Sequence, residues 1–273
     1  MDKVGYFRSA ANQLSYSTEL PVQYARRTGI VFVHAADGNR LGPHRMFVEL
    51  ARMFGLLGYP ALRFDLSGCG DSTGEVSQQS IDAEVFDVVN AVKFFTANAS
   101  LDNVVLFGIS RGARVCYTAM ARYRLPLKGL ILLSTPVSSG KAGLKSFANE
   151  LRQYIYKLKE PSHLWKLLRG RANIARIWTT LVTAGRLADR YKTQEKTVPA
   201  SKAPVLFIYA GHDSIAEESS RYYAAKCRDN ALPYDCRFIA EANHSFFHYK
   251  WTEQIFDLSE EWLERISEQV VKL

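Results

Sequence analysis

Cysteine is scarce in this sequence and unpaired. Cys69, Cys116, Cys227 and Cys236 form no C-x-x-C pair and no Cys/His cluster with zinc spacing. Neither a disulfide framework nor a metal site is therefore expected, and free thiols in a reducing cytoplasm are. Long apolar runs are missing too. None reaches the roughly eighteen residues that a membrane-spanning helix needs. The first residues, MDKVGYFRSAANQLSYSTEL, hold no apolar stretch, so no secretory signal is expected. Internal repeats and low-complexity tracts are absent, which excludes repeat arrays and long disorder.

What the chain does have is apolar residues, 47% of 273. That supports a sizeable core in one α/β domain with an insertion, or in two small domains. Short apolar runs alternate with helical patterns. GIVFVH (29–34), PALRFD (60–65), NVVLFGI (103–109), LKGLILLST (127–135) and PVLFIYAG (204–211) read as strands, and YDCRFIA (234–240) as a weaker one. Helices are predicted over 43–58, 81–99, 111–124 and 251–271; in the second, Val85, Val88, Val89 and Val92 keep helical spacing. The near-continuous apolar strands suit a parallel sheet covered on both faces. Strand–helix alternation means right-handed crossovers onto that sheet.

The alternation breaks between Pro136 and Ala203, where three helical patterns (144–158, 162–170, 172–191) follow one another. We expect residues 139–200 to be a helical cap inserted after the sixth strand position, between core segments 1–138 and 201–273. Net charge, +8 overall, concentrates there. Residues 141–202 hold 14 Lys/Arg against 4 Asp/Glu, leaving 21 against 23 for the remainder. A basic surface near a site entrance attracts anions. Three partners fit: a phosphopantetheine thioester on coenzyme A or an acidic carrier protein, a free anionic ester, or anionic lipid. Leu144, Phe147, Leu151, Tyr154, Ile155 and Leu158 form an amphipathic stripe, so peripheral membrane contact through the cap fits as well. Nucleic acid does not, because no binding motif accompanies the charge.

Chemistry centres on GISRG (108–112), where an apolar strand runs into a helix through a serine between two glycines. Such a turn needs small neighbours and holds the central hydroxyl out of the sheet. A serine nucleophile needs a base, and the base an orienting acid. In a sheet of this kind they follow in the order serine, acid, histidine. Asp213 in AGHDSIA and His244 in EANHSFFHY satisfy that order, each just beyond a strand. His212 and His248 are rival bases, and Glu241 a rival acid. The oxyanion donors expected are the backbone N–H groups of Arg111 and of Ala36, with Ala35 as second choice for the latter. His34, Ala35 and Ile109 flank these turns and are candidate substrate contacts. DLSGCGDSTGE (65–75) lacks the G-K-[ST] ending of a phosphate loop and reads as a glycine-rich turn at the floor of the site, with Cys69 a bystander.

On these residues the chain resembles the α/β-hydrolase superfamily. The stretch from DGN (37–39) through DLSGCGDSTGE is similar to the D-x-x-G-x-G-x-S-x-G segment of serine aminopeptidase-like and exosortase-associated hydrolases. The likeness continues through GISRG, AGHDSIA and NHSFF. Many relatives carry His-Gly at the oxyanion turn where this chain has His34-Ala35. The resemblance implies Ser110 as nucleophile, Asp213 as acid, His244 as base, a helical cap and no cofactor. The activity expected is cleavage of an ester or thioester through an acyl-enzyme. Acyl transfer or amide hydrolysis on the same residues, and a silent hydrolase-fold binding protein, stand as alternatives.

Overall fold

The structure is a computed structural model that describes residues 3–21, 26–35, 38–137 and 199–271. By its internal contacts the chain divides into two units, Met1–Pro136 with Lys196–Leu273, and Val137–Glu195. The predicted cap helices lie outside the described residues.

Eight strands form one sheet: β1 (Lys3–Ser9), β2 (Asn12–Glu19), β3 (Thr28–Val33), β4 (Ala61–Phe64), β5 (Asn103–Ile109), β6 (Leu127–Leu133), β7 (Val205–Ala210) and β8 (Tyr234–Ile239). Their order is β1-β2-β4-β3-β5-β6-β7-β8. From β4 to β8 every pairing is parallel, and β1 and β2 add an antiparallel edge. The helices are α1 (Met46–Leu56), α2 (Ile81–Asn98), α3 (Arg111–Arg122), α4 (Ala216–Asp229) and α5 (Tyr249–Val271). This is the mostly parallel, helix-flanked sheet expected from the strand–helix alternation, and it agrees with the α/β-hydrolase fold that the resemblance implies.

Both sheet faces are covered, as the continuous apolar strands require. In β3, Val31 and Val33 face a core shared with α2, α3 and α4, while Ile30 and Phe32 face one shared with α1 and α5. All four are fully buried. The predicted stripe of α2 is the buried one, with Val85, Val88, Val89 and Val92 at 2% exposure or less. Ser80 caps that helix, its Oγ accepting from the Ala83 N–H at 3.1 Å. Gly58 follows α1 with φ 83°, the left-handed stop its glycine allows.

Two differences from the sequence reading stand out. The hairpin β1–β2 was not expected, because its residues are polar and its turn carries no Asn-Gly or Gly signal. Ala10 takes the left-handed conformation there, at φ 51°. Helix α4 was not expected either. Its buried stripe is only Ala216, Ser219, Tyr223 and Cys227 on an otherwise charged segment.

Trp262 of α5 is among the largest fully buried side chains, and its Nε1–H donates to Asp235 of β8 at 3.1 Å. Trp262→Ala is expected to lower stability by about 3–5 kcal/mol, read as an earlier urea midpoint with the slope unchanged. Among the thiols, burial pushes Cys116 well up and Cys227 up to about 12. Neither forms thiolate at pH 8, whereas Cys236 is only half-buried. Iodoacetamide on the native protein is therefore expected to modify Cys236 ahead of Cys116 and Cys227, followed by peptide mass. Equal labelling of Cys116 and Cys236 would contradict this packing.

Candidate active site

Strand β5 ends at Ile109, and α3 begins at Arg111. Ser110 alone makes the turn, with φ 52° and ψ −123°. An L-residue holds such angles only where its surroundings impose them. Here the Ser110 N–H donates to the Leu133 carbonyl at 2.8 Å, and the Ser110 carbonyl accepts from Arg114 N–H at 3.2 Å. The two glycines are required by space. A methyl on Gly108 would stand 2.6 Å from Ala113 Cα, and one on Gly112 would run into the carbonyl oxygens of Val33 and His34. Strand β3, strand β5 and α3 meet too closely at this point for any side chain.

The other two residues arrive on neighbouring loops. Asp213 follows β7; its N–H donates to the Ala210 carbonyl at 3.1 Å, and its Oδ1 accepts from Ile215 N–H at 3.3 Å. His244 follows β8. The two loops are tied where the His212 N–H donates to the Ala242 carbonyl at 2.9 Å. His244 Nδ1 lies 2.6 Å from Asp213 Oδ2, and Nε2 lies 3.0 Å from Ser110 Oγ. An unbroken hydrogen-bonded chain thus runs from carboxylate through imidazole to hydroxyl. The Asp213 side chain is 6% exposed and that of His244 39%, so the acid is buried and the base open to solvent. The rivals point elsewhere: His212 and Glu241 are exposed, and His248 packs on Trp251 with ring centres 5.7 Å apart.

Arg111 opens α3, so its N–H is one of the helix's first donors without an acceptor inside the helix. Ala36 lies outside the described residues. Ala35 is half-buried, and its carbonyl accepts from Gly38 N–H at 3.1 Å. Two of the candidate substrate contacts have other surroundings. His34 is 1% exposed; its Nδ1 bonds the Ala35 carbonyl at 2.7 Å, and its Nε2 accepts from Leu66 N–H at 3.0 Å. It fastens the loop after β3 to the end of β4. Ile109 is 2% exposed and packs in the core shared with α1 and α5.

The glycine-rich turn is anchored in part by the buried carboxylate of Asp65. Asp65 accepts from Arg40 N–H at 2.6 Å and from Asp71 N–H at 2.9 Å, and pairs with the Arg40 guanidinium. It joins this turn to the loop after β3.

Sequence reasoning missed a second set of buried acids, on α2. Glu84 accepts from Arg111 Nε at 2.8 Å, and its Oε1 lies 2.7 Å from Nη2 of the same guanidinium. Burial pushes the Glu84 carboxyl up, against the pull of the Arg111 charge. One turn on, Asp87 accepts from Ser9 Oγ at 2.6 Å and Ser67 N–H at 2.9 Å. A signal was available: positions 84 and 87 adjoin the apolar stripe of α2, where a carboxylate needs a partner. Among the described residues no cluster of acids, histidines and cysteines could hold a metal. None of the described helices is long and apolar enough to cross a membrane.

The chain is similar to several known proteins. It aligns with lysophosphatidylserine lipase ABHD12 of Gallus gallus at 32% identity over 108 residues, 38% of this chain and 27% of that protein. The Macaca fascicularis protein of that name aligns at 29% over 119 residues, 43% of this chain and 29% of the other. The chain thus spans under a third of the length of these curated relatives. Among solved structures, the Pyrococcus furiosus esterase Pf2001 superposes with a TM-score of 0.71 at 18% identity, over 98% of this chain and 91% of that one. Est1E of Butyrivibrio proteoclasticus, solved with ferulic acid bound, superposes at 0.64 and 16%, over 94% and 98%. These likenesses carry the fold. The alpha/beta hydrolase family profile matches residues 30–258. With most of its length inside that match, the chain belongs to the alpha/beta hydrolase family.

Proposed function

We propose that this chain is a serine hydrolase that cleaves a carboxylic ester or thioester through an acyl-enzyme on Ser110. The observation that carries the reading is the hydrogen-bonded chain from Asp213 through His244 to Ser110 Oγ. As Oγ attacks the acyl carbonyl, His244 Nε2 takes its proton, and Asp213 stabilises the imidazolium that results. The Arg111 N–H, with that of Ala36, receives the charge that develops on the carbonyl oxygen. Collapse of the tetrahedral species breaks the ester or thioester bond, and His244 returns the proton to the leaving alkoxide or thiolate. Water, deprotonated by the same imidazole, then attacks the acyl carbon and releases the acid and Ser110.

The basic segment bears on the substrate. In our reading residues 139–200 form a lid, and their positive charge favours an anionic or carrier-linked acyl group. An anionic lysophospholipid ester fits that chemistry and agrees with the name borne by the curated relatives. The family match is to alpha/beta hydrolases at large, so the serine aminopeptidase-like and exosortase-associated resemblance supplies motif spacing and no substrate.

A fluorophosphonate probe is expected to label the native protein and not Ser110→Ala. Hydrolysis of p-nitrophenyl acetate should fall by about 10³-fold or more in the same variant. Full activity in Ser110→Ala would end the reading. Reversing four charges together, K157E, K166E, R169E and R171E, is expected to raise KM for an anionic ester roughly three- to tenfold at low salt. KM for a neutral ester should stay unchanged, and the difference should fade at high ionic strength. An unmoved KM for the anionic ester at low salt would remove the lid's electrostatic role.

A further inference from the structure

Glu84 has no part in the chemistry just described, and its position asks for one. It stands in the first turn of α2. A carboxylate there ordinarily faces water and answers the helix dipole. This one is 4% exposed and turned onto Arg111. Resting on the assignment of Ser110 as nucleophile, we infer that Glu84 is a positioning residue: it clamps the Arg111 side chain and so aims the Arg111 N–H at the developing oxyanion.

The contact has the form such a clamp needs. Nε donates to Oε2 at 2.8 Å while Nη2 lies 2.7 Å from Oε1 as an ion pair, so two adjacent nitrogens of the guanidinium are held against one carboxylate. Both side chains are 5% exposed, so water does not compete for the pair. The frame behind Glu84 is itself fixed. Ser80 caps the start of α2, and Asp87, on the next turn, holds Ser67 and Ser9.

The site needs a clamp at residue 111 in particular. Hydrogen bonds to Leu133 and from Arg114 hold the N–H and carbonyl of Ser110. The Ser110 side chain does not cap α3. The Arg111 N–H shares one planar peptide unit with the Ser110 carbonyl, so it is aimed only as well as that unit is held: the 3.2 Å bond from Arg114 N–H holds one end, and a fixed Arg111 side chain restrains the other. Gly112 has no side chain with which to help. Energetics agree with a geometric role: a buried ion pair gains little over a well-packed apolar pair of similar volume. What the ion pair adds is orientation.

Three variants test this: E84Q, E84D and the double variant E84L/R111M. Each is assayed for p-nitrophenyl ester hydrolysis, for Tm, and for inhibition by an alkyl trifluoromethyl ketone, which forms a tetrahedral adduct on the serine. In E84Q, kcat is expected to fall roughly ten- to a hundredfold with KM within about threefold, because a misaimed donor is felt in the transition state. Ketone affinity should fall with kcat. The double variant is expected to regain Tm but not kcat. A double variant that regains kcat along with Tm would show the pair to be merely structural and overturn the inference. Should the double variant fail to fold, E84D decides. It keeps the charge but shortens the reach by one methylene, so lowered kcat and ketone affinity at near-parent Tm are expected, and parental kcat overturns the clamp. Failure of the underlying assignment looks different. The ketone would then not bind the parent, and Ser110→Ala would keep its activity.

Discussion

The backbone at Ser110 is the constraint on which the rest depends. A residue other than glycine at φ 52° and ψ −123° costs of order 1–3 kcal/mol. The surrounding fold must impose it. Parallel pairing on both sides of β5 holds the incoming strand, and the start of α3 lies against the end of β3 with only Gly112 between. The hydroxyl therefore leaves the sheet at its C-terminal edge. The loops after β7 and β8 end at that same edge, which is how residues 110, 213 and 244 meet although far apart in the chain.

Around this turn, buried polar side chains do what apolar packing cannot. Apolar contact fixes layers but leaves loops free to slide, whereas a hydrogen bond fixes an atom. His34 joins the end of β3 to the start of the glycine-rich turn. Asp65 joins that turn to the loop holding Arg40. Asp87 joins it to the edge hairpin through Ser9, and Glu84 reaches α3. Each of these groups is nearly inaccessible to water. Left unpaired, any of them would carry a desolvation penalty, so the loops are held where the partners are.

Much of this was legible before any coordinates. Continuous apolar strands such as 103–109 and 204–211 signal a sheet covered on both faces, and 3.6-residue spacing marks α2. GISRG, placed between strand and helix, points to Ser110, and chain order then selects Asp213 and His244 from the available acids and histidines. The illegible parts share one cause: their signals depend on tertiary partners. Ala10 turns the hairpin without glycine because the paired strands hold it. Helix α4 buries Ala216, Ser219, Tyr223 and Cys227, too thin a stripe to read. Glu84 looks like an ordinary first-turn acid until Arg111 is seen beside it. His34 and Ile109 lie beside the oxyanion loop and the Ser110 turn in sequence, yet the fold buries both.

The central claim is that one alcohol oxygen carries the acyl group between substrate and water. Acid quench of the native protein during steady turnover of a p-nitrophenyl ester, followed by proteolysis and peptide mass, tests it most directly. The account predicts an acyl mass on the peptide containing Ser110, and none on that peptide when Ser110 is replaced by alanine. Turnover with no acyl mass on that peptide, or the mass on a different side chain, would contradict it.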